Sequence, residues 1–113
     1  MKKIFWGLLS IVVASTQFLS TVLKVTVLDD AGNIQKGAVV KLYKTEEDYK
    51  EDKNPVGGPQ TTDEKGKVQF KDLEPQVYYV RAQKGDKDNS DGGIKTHKLD
   101  AGKINKINVI ISD

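Results

Sequence analysis

An all-β sandwich is the fold class that this sequence predicts, and three observations predict it. From Leu23 onward, apolar and polar residues alternate with period two. Clusters of Gly, Asp, Asn and Pro interrupt that alternation every eight to twelve residues. The segments so marked off number seven, within roughly 90 residues, enough chain to bury somewhat over ~60% of its extended surface as one small core.

The first strand is expected at Leu23–Val27, with Leu23, Val25 and Val27 on one face, ending at the Asp29–Asn33 turn. The second, Ala38–Lys44, turns Ala38, Val40 and Leu42 inward and Lys41 and Tyr43 outward. Between Thr45 and Pro59 the alternation stops. The run TEEDYKEDKNPVGGP is acidic and then rich in Gly and Pro, which reads as a mobile insertion whose first turn is helical behind a Thr45 cap. A short strand at Gln60–Thr62 is expected to form a hairpin with Lys67–Lys71 across the turn Asp63–Gly66, with Val68 and Phe70 inward. The most apolar segment, Val77–Gln83, reads as a central strand with Tyr78, Val80 and Ala82 inward and Tyr79 and Arg81 outward. Strands at Ile94–Leu99 and Ile104–Ile111 complete the set, joined at Asp100–Lys103 with Gly102 at a positive-φ position. In the last strand Ile107, Val109 and Ile111 face the core.

Residues 1–21 differ from the rest. Met1-Lys2-Lys3 is followed by the uncharged run from Ile4 to Ala14, the n-region and h-region of a secretory signal peptide. An apolar run of about 11 residues is shorter than the roughly 20 that an ordinary spanning helix needs. The expected organisation is a signal peptide at 1–21 and one β domain at 22–113, with cleavage after Ala14, after Thr16 or near Thr21. The expected location is therefore outside the cytoplasm: periplasmic, on the cell surface or secreted. Phe18-Leu19-Ser20-Thr21 resembles the run before the lipidated cysteine of bacterial lipoproteins, yet Val22 stands where that cysteine would be.

Composition narrows the chemistry. The chain has 113 residues, no Cys and one His, which excludes disulfides, thiolate metal sites, thiol nucleophiles and multi-histidine zinc sites. Lys2 and Lys3 are the only charges in the leader, so removing them from the 18 basic residues leaves 16 against 16 acidic ones. The lysines are spread singly along the expected strands, with no basic run of the kind nucleic acid selects. Nucleic acid is accordingly not an expected partner, and the membrane is one only if the leader is retained. His97 lies among Lys95, Thr96 and Lys98 with no nucleophile elbow anywhere in the chain, so it reads as a surface histidine. No catalytic residue, and hence no enzyme, is expected.

Four stretches together form a family pattern: Val25-Thr26-Val27 with Asp30-Ala31-Gly32, Lys36 to Tyr43, Thr62 to Pro75, and Tyr78 to Ala82. They resemble the carboxypeptidase regulatory-like, or prealbumin-like (transthyretin-like), domain superfamily, including small stand-alone bacterial envelope proteins. The run Thr-Asp-Glu-x-Gly-x-Val-x-Phe-x-x-Leu-x-Pro at 62–75 is its most specific part. The resemblance implies a seven-stranded antiparallel Greek-key sandwich in which Gly66 serves the turn, Phe70 and Leu73 fill the core and Pro75 sends the chain across to the next strand. It specifies a fold far better than a function.

That resemblance brings one sharp chemical option. In collagen-adhesin B-type repeats of the superfamily, a Lys and an Asn or Asp form an isopeptide bond assisted by a Glu. Here Val27 stands at the reactive Lys position and Arg81 or Ala82 at the Glu position, so no carboxylate is placed to shuttle the proton between Lys24 and Asn105 or Asn108. A hydroxyisourate hydrolase of the transthyretin-like type would want several histidines and a Tyr-Arg-Gly-Ser-like end, whereas this chain ends Ile110-Ile111-Ser112-Asp113.

Two sets of residues remain as candidates. Asp86, Asp88 and Asp91 lie in an oxygen-rich loop that invites comparison with a calcium site. Counted from Asp86, however, the glycine falls at position seven, and His97 occupies position twelve, where a bidentate Glu is needed. The expectation is no cofactor, with calcium as a weak option. Tyr43, Tyr79 and Arg81 fall at outward positions on strands that the resembled fold puts in one sheet, and are expected to form an exposed aromatic and cationic interaction surface. The expected function is an exported, non-catalytic module of the cell envelope that binds a protein or surface polymer. The alternatives are a carbohydrate-binding accessory domain and a transthyretin-type small-ligand carrier.

Overall fold

The computed structural model describes residues 20–113, so the expected signal peptide, apart from Ser20 and Thr21, lies outside the described residues. Seven strands and one short helix follow in order: β1 (Thr21–Asp29), β2 (Val39–Tyr43), α1 (Glu46–Glu51), β3 (Gln60–Thr61), β4 (Lys67–Leu73), β5 (Tyr79–Lys84), β6 (Lys87–Asp88) and β7 (Ile104–Ile111). They form two sheets, ordered β4-β1-β7 and β3-β2-β5-β6, and the protein is the all-β sandwich that the alternation predicts. The core is what period two would place between the sheets. Leu23, Val25 and Val27 of β1 meet Val40 and Leu42 of β2, Val68 and Phe70 of β4, Val80 and Ala82 of β5, and Val109 and Ile111 of β7. Tyr78 and Leu99, which lie outside the strands, belong to the same core.

Four details differ from the sequence expectation. First, the sheets are not wholly antiparallel, because β1 and β7 run parallel from Val22↔Ile104 to Asp29↔Ile111. The first and last strands of the described residues lie side by side, which needs no turn between them and so leaves no local sequence mark.

Second, the Asp63–Gly66 turn forms, with the Asp63 N–H donating to Lys67 O and the Gly66 N–H to Asp63 O, but it does not close a hairpin. β3 pairs with β2, while β4 pairs with β1. The turn therefore carries the chain from one sheet to the other. Gly66 sits at φ 73° with Val27 O, Gln35 N and Ile34 Cβ within 3.2 Å of where a Cβ would be.

Third, Ile94–Leu99 is not a strand. It touches β5 through one bridge, Tyr79↔Lys95. The Thr96 hydroxyl accepts the Tyr78 N–H at 3.0 Å, a side chain standing in for a ladder partner. The seventh strand is instead the two-residue β6, paired with β5 through Gln83↔Asp88 and Lys84↔Lys87.

Fourth, β1 begins at Thr21, two residues before the strand expected at Leu23–Val27. Thr21 is buried, and its hydroxyl accepts the Gly102 N–H at 2.9 Å. Gly102 holds the positive φ expected of it, at 69°.

Candidate functional site

Two strands, β2 and β5, pair in register with Lys41 opposite Arg81 and Tyr43 opposite Tyr79. Tyr43, Tyr79 and Arg81 thus do share the outer face of one sheet. The expected exposed patch nevertheless does not exist, because Tyr43 has 0% of its surface accessible and Arg81 is half-buried. Residues 45–59, expected as a mobile insertion, fold back across that face.

Local chemistry explains the strap. Thr45 adopts extended geometry and its hydroxyl accepts the Asp48 N–H at 3.1 Å, while Glu46, Glu47 and Asp48 occupy the first turn, where the helix dipole favours them. Asp52 ends the helix in the left-handed region at φ 51°, which Asp tolerates better than most residues. Beyond it the Val56 N–H donates to Leu42 O at 2.7 Å, and the Val56 side chain packs against the core. α1 buries Tyr49, whose ring meets Tyr43 edge-on at 5.9 Å between centroids.

The result is a layered cluster. The Arg81 guanidinium carbon lies 4.3 Å from the centre of the Tyr49 ring and 5.9 Å from that of Tyr43, a stack that suits a delocalised cation. Arg81 Nη2 donates to Tyr49 O, and the Tyr43 hydroxyl donates to Asp52 Oδ1. Lys41 Nζ reaches the same carboxylate at 3.2 Å. Arg81 Nε is buried with no hydrogen-bond partner, 4.0 Å from Asp52 Oδ1. Burial and the Asp52 hydrogen bond push the Tyr43 phenol up to about 12. The same bond, joined by Lys41, holds the Asp52 carboxyl below its ordinary value. Every member of this cluster holds another in place, and none presents a free nucleophile or base. Tyr79 remains half-exposed at its margin.

The oxygen-rich loop is organised around a residue that the sequence reading passed over. Asn89 is 1% exposed. Its side chain accepts the Ala82 N–H at 2.9 Å and donates to Val80 O at 2.9 Å and to Gly93 O at 3.1 Å. Asp88 accepts the Ser90 N–H and hydroxyl, which lowers its pKa. Asp86, Asp88 and Asp91 are consequently not gathered into a site. Among the described residues no group of three or more His, Cys, Asp or Glu side chains could hold a metal ion. The signal for Asn89 was available: an Asx-type residue in a loop rich in turn formers competes for the free backbone groups there.

His97 is exposed. The Asn105 amide, one of the two that an isopeptide bond would have needed, is fully engaged. It accepts the Asp100 N–H at 2.8 Å and donates to Val22 O, Asp100 O and Lys103 O.

No family model matches the chain, and no curated protein matches it. Several solved structures share the fold. The Bacillus anthracis TIE protein superposes with a TM-score of 0.57 at 20% identity, over 82% of this chain and 17% of that one. GBS52, the minor pilin of Streptococcus agalactiae, gives 0.59 at 14% identity, over 83% of this chain and 44% of that one. Hydroxyquinol 1,2-dioxygenase from Pseudomonas putida gives 0.53 at 12% identity, over 86% and 57%. This chain spans less than two thirds of each of those proteins, and at such identities the likeness is one of fold. A pilin and an oxygenase share it, so function has to be argued from the side chains.

Proposed function

We propose that this protein is an exported, non-catalytic module of the cell envelope, of the prealbumin-like class, that binds a protein or a surface polymer. The observation that carries the reading is the fate of the cluster around Tyr43. The aromatic and charged residues that the fold gathers most closely, Lys41, Tyr43, Tyr49, Asp52 and Arg81, are committed to one another beneath a capped helix. A catalytic centre requires a nucleophile or base with room for a substrate beside it, and the lone histidine stands exposed on another segment. The leader-like run at 1–21 and the likeness to a pilin support export and an envelope setting.

Sugar stacking gains little support, since Tyr43, Tyr49 and Tyr78 are all buried. The test is to express the full precursor in a bacterium, fractionate cytoplasm, membrane, periplasm and medium, and measure the intact mass of the product. A processed species outside the cytoplasm that co-sediments with isolated envelope is the expected result. An uncleaved cytoplasmic species, or one that ignores the envelope, would overturn the reading.

A further inference from the structure

Three of the lysines that look scattered along the chain converge in space. On β1 the outward residues Lys24 and Thr26 alternate with the core residues Leu23, Val25 and Val27. Register sets Lys106 and Asn108 of β7 beside Lys24 and Thr26, and sets Gln69 and Lys67 of β4 on their other side. Neighbouring strands lie about 4.8 Å apart and alternate residues about 7 Å apart. Lys24, Lys67 and Lys106 therefore occupy one small area on the outer face of the three-stranded sheet.

Three features mark this area as a binding surface. None of the three lysines pairs with a carboxylate among the ion pairs of the described residues. Lys67 Nζ donates instead to the Thr26 hydroxyl at 3.0 Å. Like charges side by side on a sheet repel, and Lys24 and Lys106 are paired in register, so positive charge exceeds negative here, with three lysines against one carboxylate. Lys24 and Lys67 also border two hollows, one of about 290 Å³ that includes Thr61, Asp63 and Gln69, and one of about 220 Å³ that includes Thr26, Lys106 and Asn108. The one carboxylate at the rim, Asp63, already accepts the N–H groups of Lys65 and Lys67.

We propose that this face binds a linear phosphodiester polymer of the cell envelope, laid from one hollow to the other across Lys24 and Lys67, with Lys106 holding a further phosphate. The proposal rests on the reading of the chain as an envelope-binding module and names its ligand. Ammonium groups serve phosphate as point charges, whereas paired recognition of carboxylates favours arginine forks; the two hollows are lined by three lysines and no arginine. The neutral groups between them, Thr26, Gln69 and Asn108, supply hydrogen bonds suited to phosphate oxygens and polyol hydroxyls. No aromatic side chain lies among the residues of the two hollows, so nucleic acid bases find no platform to stack on.

The test uses the purified full chain with synthetic poly(glycerol phosphate) at low salt. The wild type is expected to bind it, with the logarithm of affinity falling against the logarithm of salt concentration at a slope near −2, about 0.7 for each of three lysines. The triple variant K24Q/K67Q/K106Q is expected to lose at least about tenfold in affinity and most of that slope, with an unchanged or raised melting temperature. The control K95Q/K98Q, on a segment bordering the other sheet, keeps both. Absent binding, or equal loss in the control, overturns the site. Equal affinity for polygalacturonate overturns the choice of phosphate, and tighter binding to a single-stranded oligonucleotide or to phosphatidylglycerol vesicles overturns the polymer. A triple variant that still sediments with envelope while poly(glycerol phosphate) binding is absent sinks this face and leaves the module reading standing. Retention in the cytoplasm with polymer binding intact does the reverse.

Discussion

The Tyr43 hydroxyl donates to the Asp52 carboxylate nine residues further along the chain, and that bond fastens α1 over the outer face of the β2 and β5 pair. Removing the hydroxyl leaves Asp52 its contact with Lys41 at 3.2 Å, so Tyr43→Phe is expected to cost about 1 kcal/mol. Asp52→Asn keeps a residue that tolerates the left-handed backbone at φ 51°, whereas Asp52→Ala adds about 1 kcal/mol of backbone strain. Urea unfolding should therefore rank Asp52→Ala below Asp52→Asn; an equal pair of midpoints would refute the role of that backbone position.

The same bond makes stability depend on pH at both extremes. Tyr43 keeps its proton up to about 12 in the folded protein, against an ordinary value near 10. Its contribution is therefore complete below about 10 and is lost as pH rises from there through about 12. Asp52 is held below its ordinary value, chiefly by the Tyr43 hydrogen bond. Its contribution is present above the usual Asp range and is lost as pH falls through the folded-state value. Melting temperature measured across pH should show both declines, and Tyr43→Phe should abolish the tyrosine's share of the alkaline one. An unchanged alkaline decline in that variant would show that other groups account for it.

The contrast between these residues and the core shows what a sequence can convey. Period two placed Leu23, Val25, Val40, Leu42, Val68, Phe70, Val80, Ala82, Val109 and Ile111 correctly, because which face a residue takes is a local property of a strand. It also put Tyr43 and Arg81 on one outer face, as they are. What it could not convey was the cover, since the helix that buries Tyr43 contributes one apolar residue, Tyr49, from an otherwise charged run. The cationic face escaped for a related reason. Lys24, Lys67 and Lys106 are far apart in sequence and are gathered only by strand register, and the parallel pairing of β1 with β7 leaves no turn to announce it.

Gly66 has little freedom to change. At φ 73°, a Cβ there would lie 3.1 Å from Val27 O and 3.2 Å from Gln35 N, both backbone atoms that cannot swing aside. Gly57, at φ 71°, has nothing within 4 Å of the same position. Gly57→Ala should cost about 1 kcal/mol from the backbone conformation alone, and Gly66→Ala clearly more. Equal losses on chemical denaturation would mean that the close approach at Gly66 is relieved by movement of the turn.

The proposed signal peptide should be cut so that Ser20 and Thr21 stay on the mature chain. Ser20 Oγ donates to Asp72 Oδ1 and accepts the Asp72 N–H, each at 3.0 Å. These bonds hold a residue of β4 at φ 55°, where the register with β1 shifts between Thr21 and Leu23. Amino-terminal sequencing of the exported product is expected to begin before Ser20, consistent with processing after Ala14 or Thr16. A product starting at Val22 would contradict this, and should melt at a lower temperature than one that retains both residues.

Asn89 offers the largest single loss. Its amide closes the loop between β5 and the segment after it by satisfying Ala82 N–H, Val80 O and Gly93 O at once, in a site 1% exposed. Replacing it with Ala leaves a donor and two acceptors without that partner and opens a small void, each stranded group costing about 1–3 kcal/mol. A total near 3 kcal/mol is expected, allowing for water reaching Gly93 O. Asn89→Asp should also destabilise strongly at neutral pH, because a carboxylate can accept from Ala82 but cannot donate to the two carbonyls, and it buries a charge. Lowering the pH should recover part of the loss in Asn89→Asp and none in Asn89→Ala, since a protonated carboxyl regains one donor. Thermal melts of the two variants at neutral and acidic pH, each referenced to wild type, would decide it, and parallel pH responses would show that the amide's donors are dispensable.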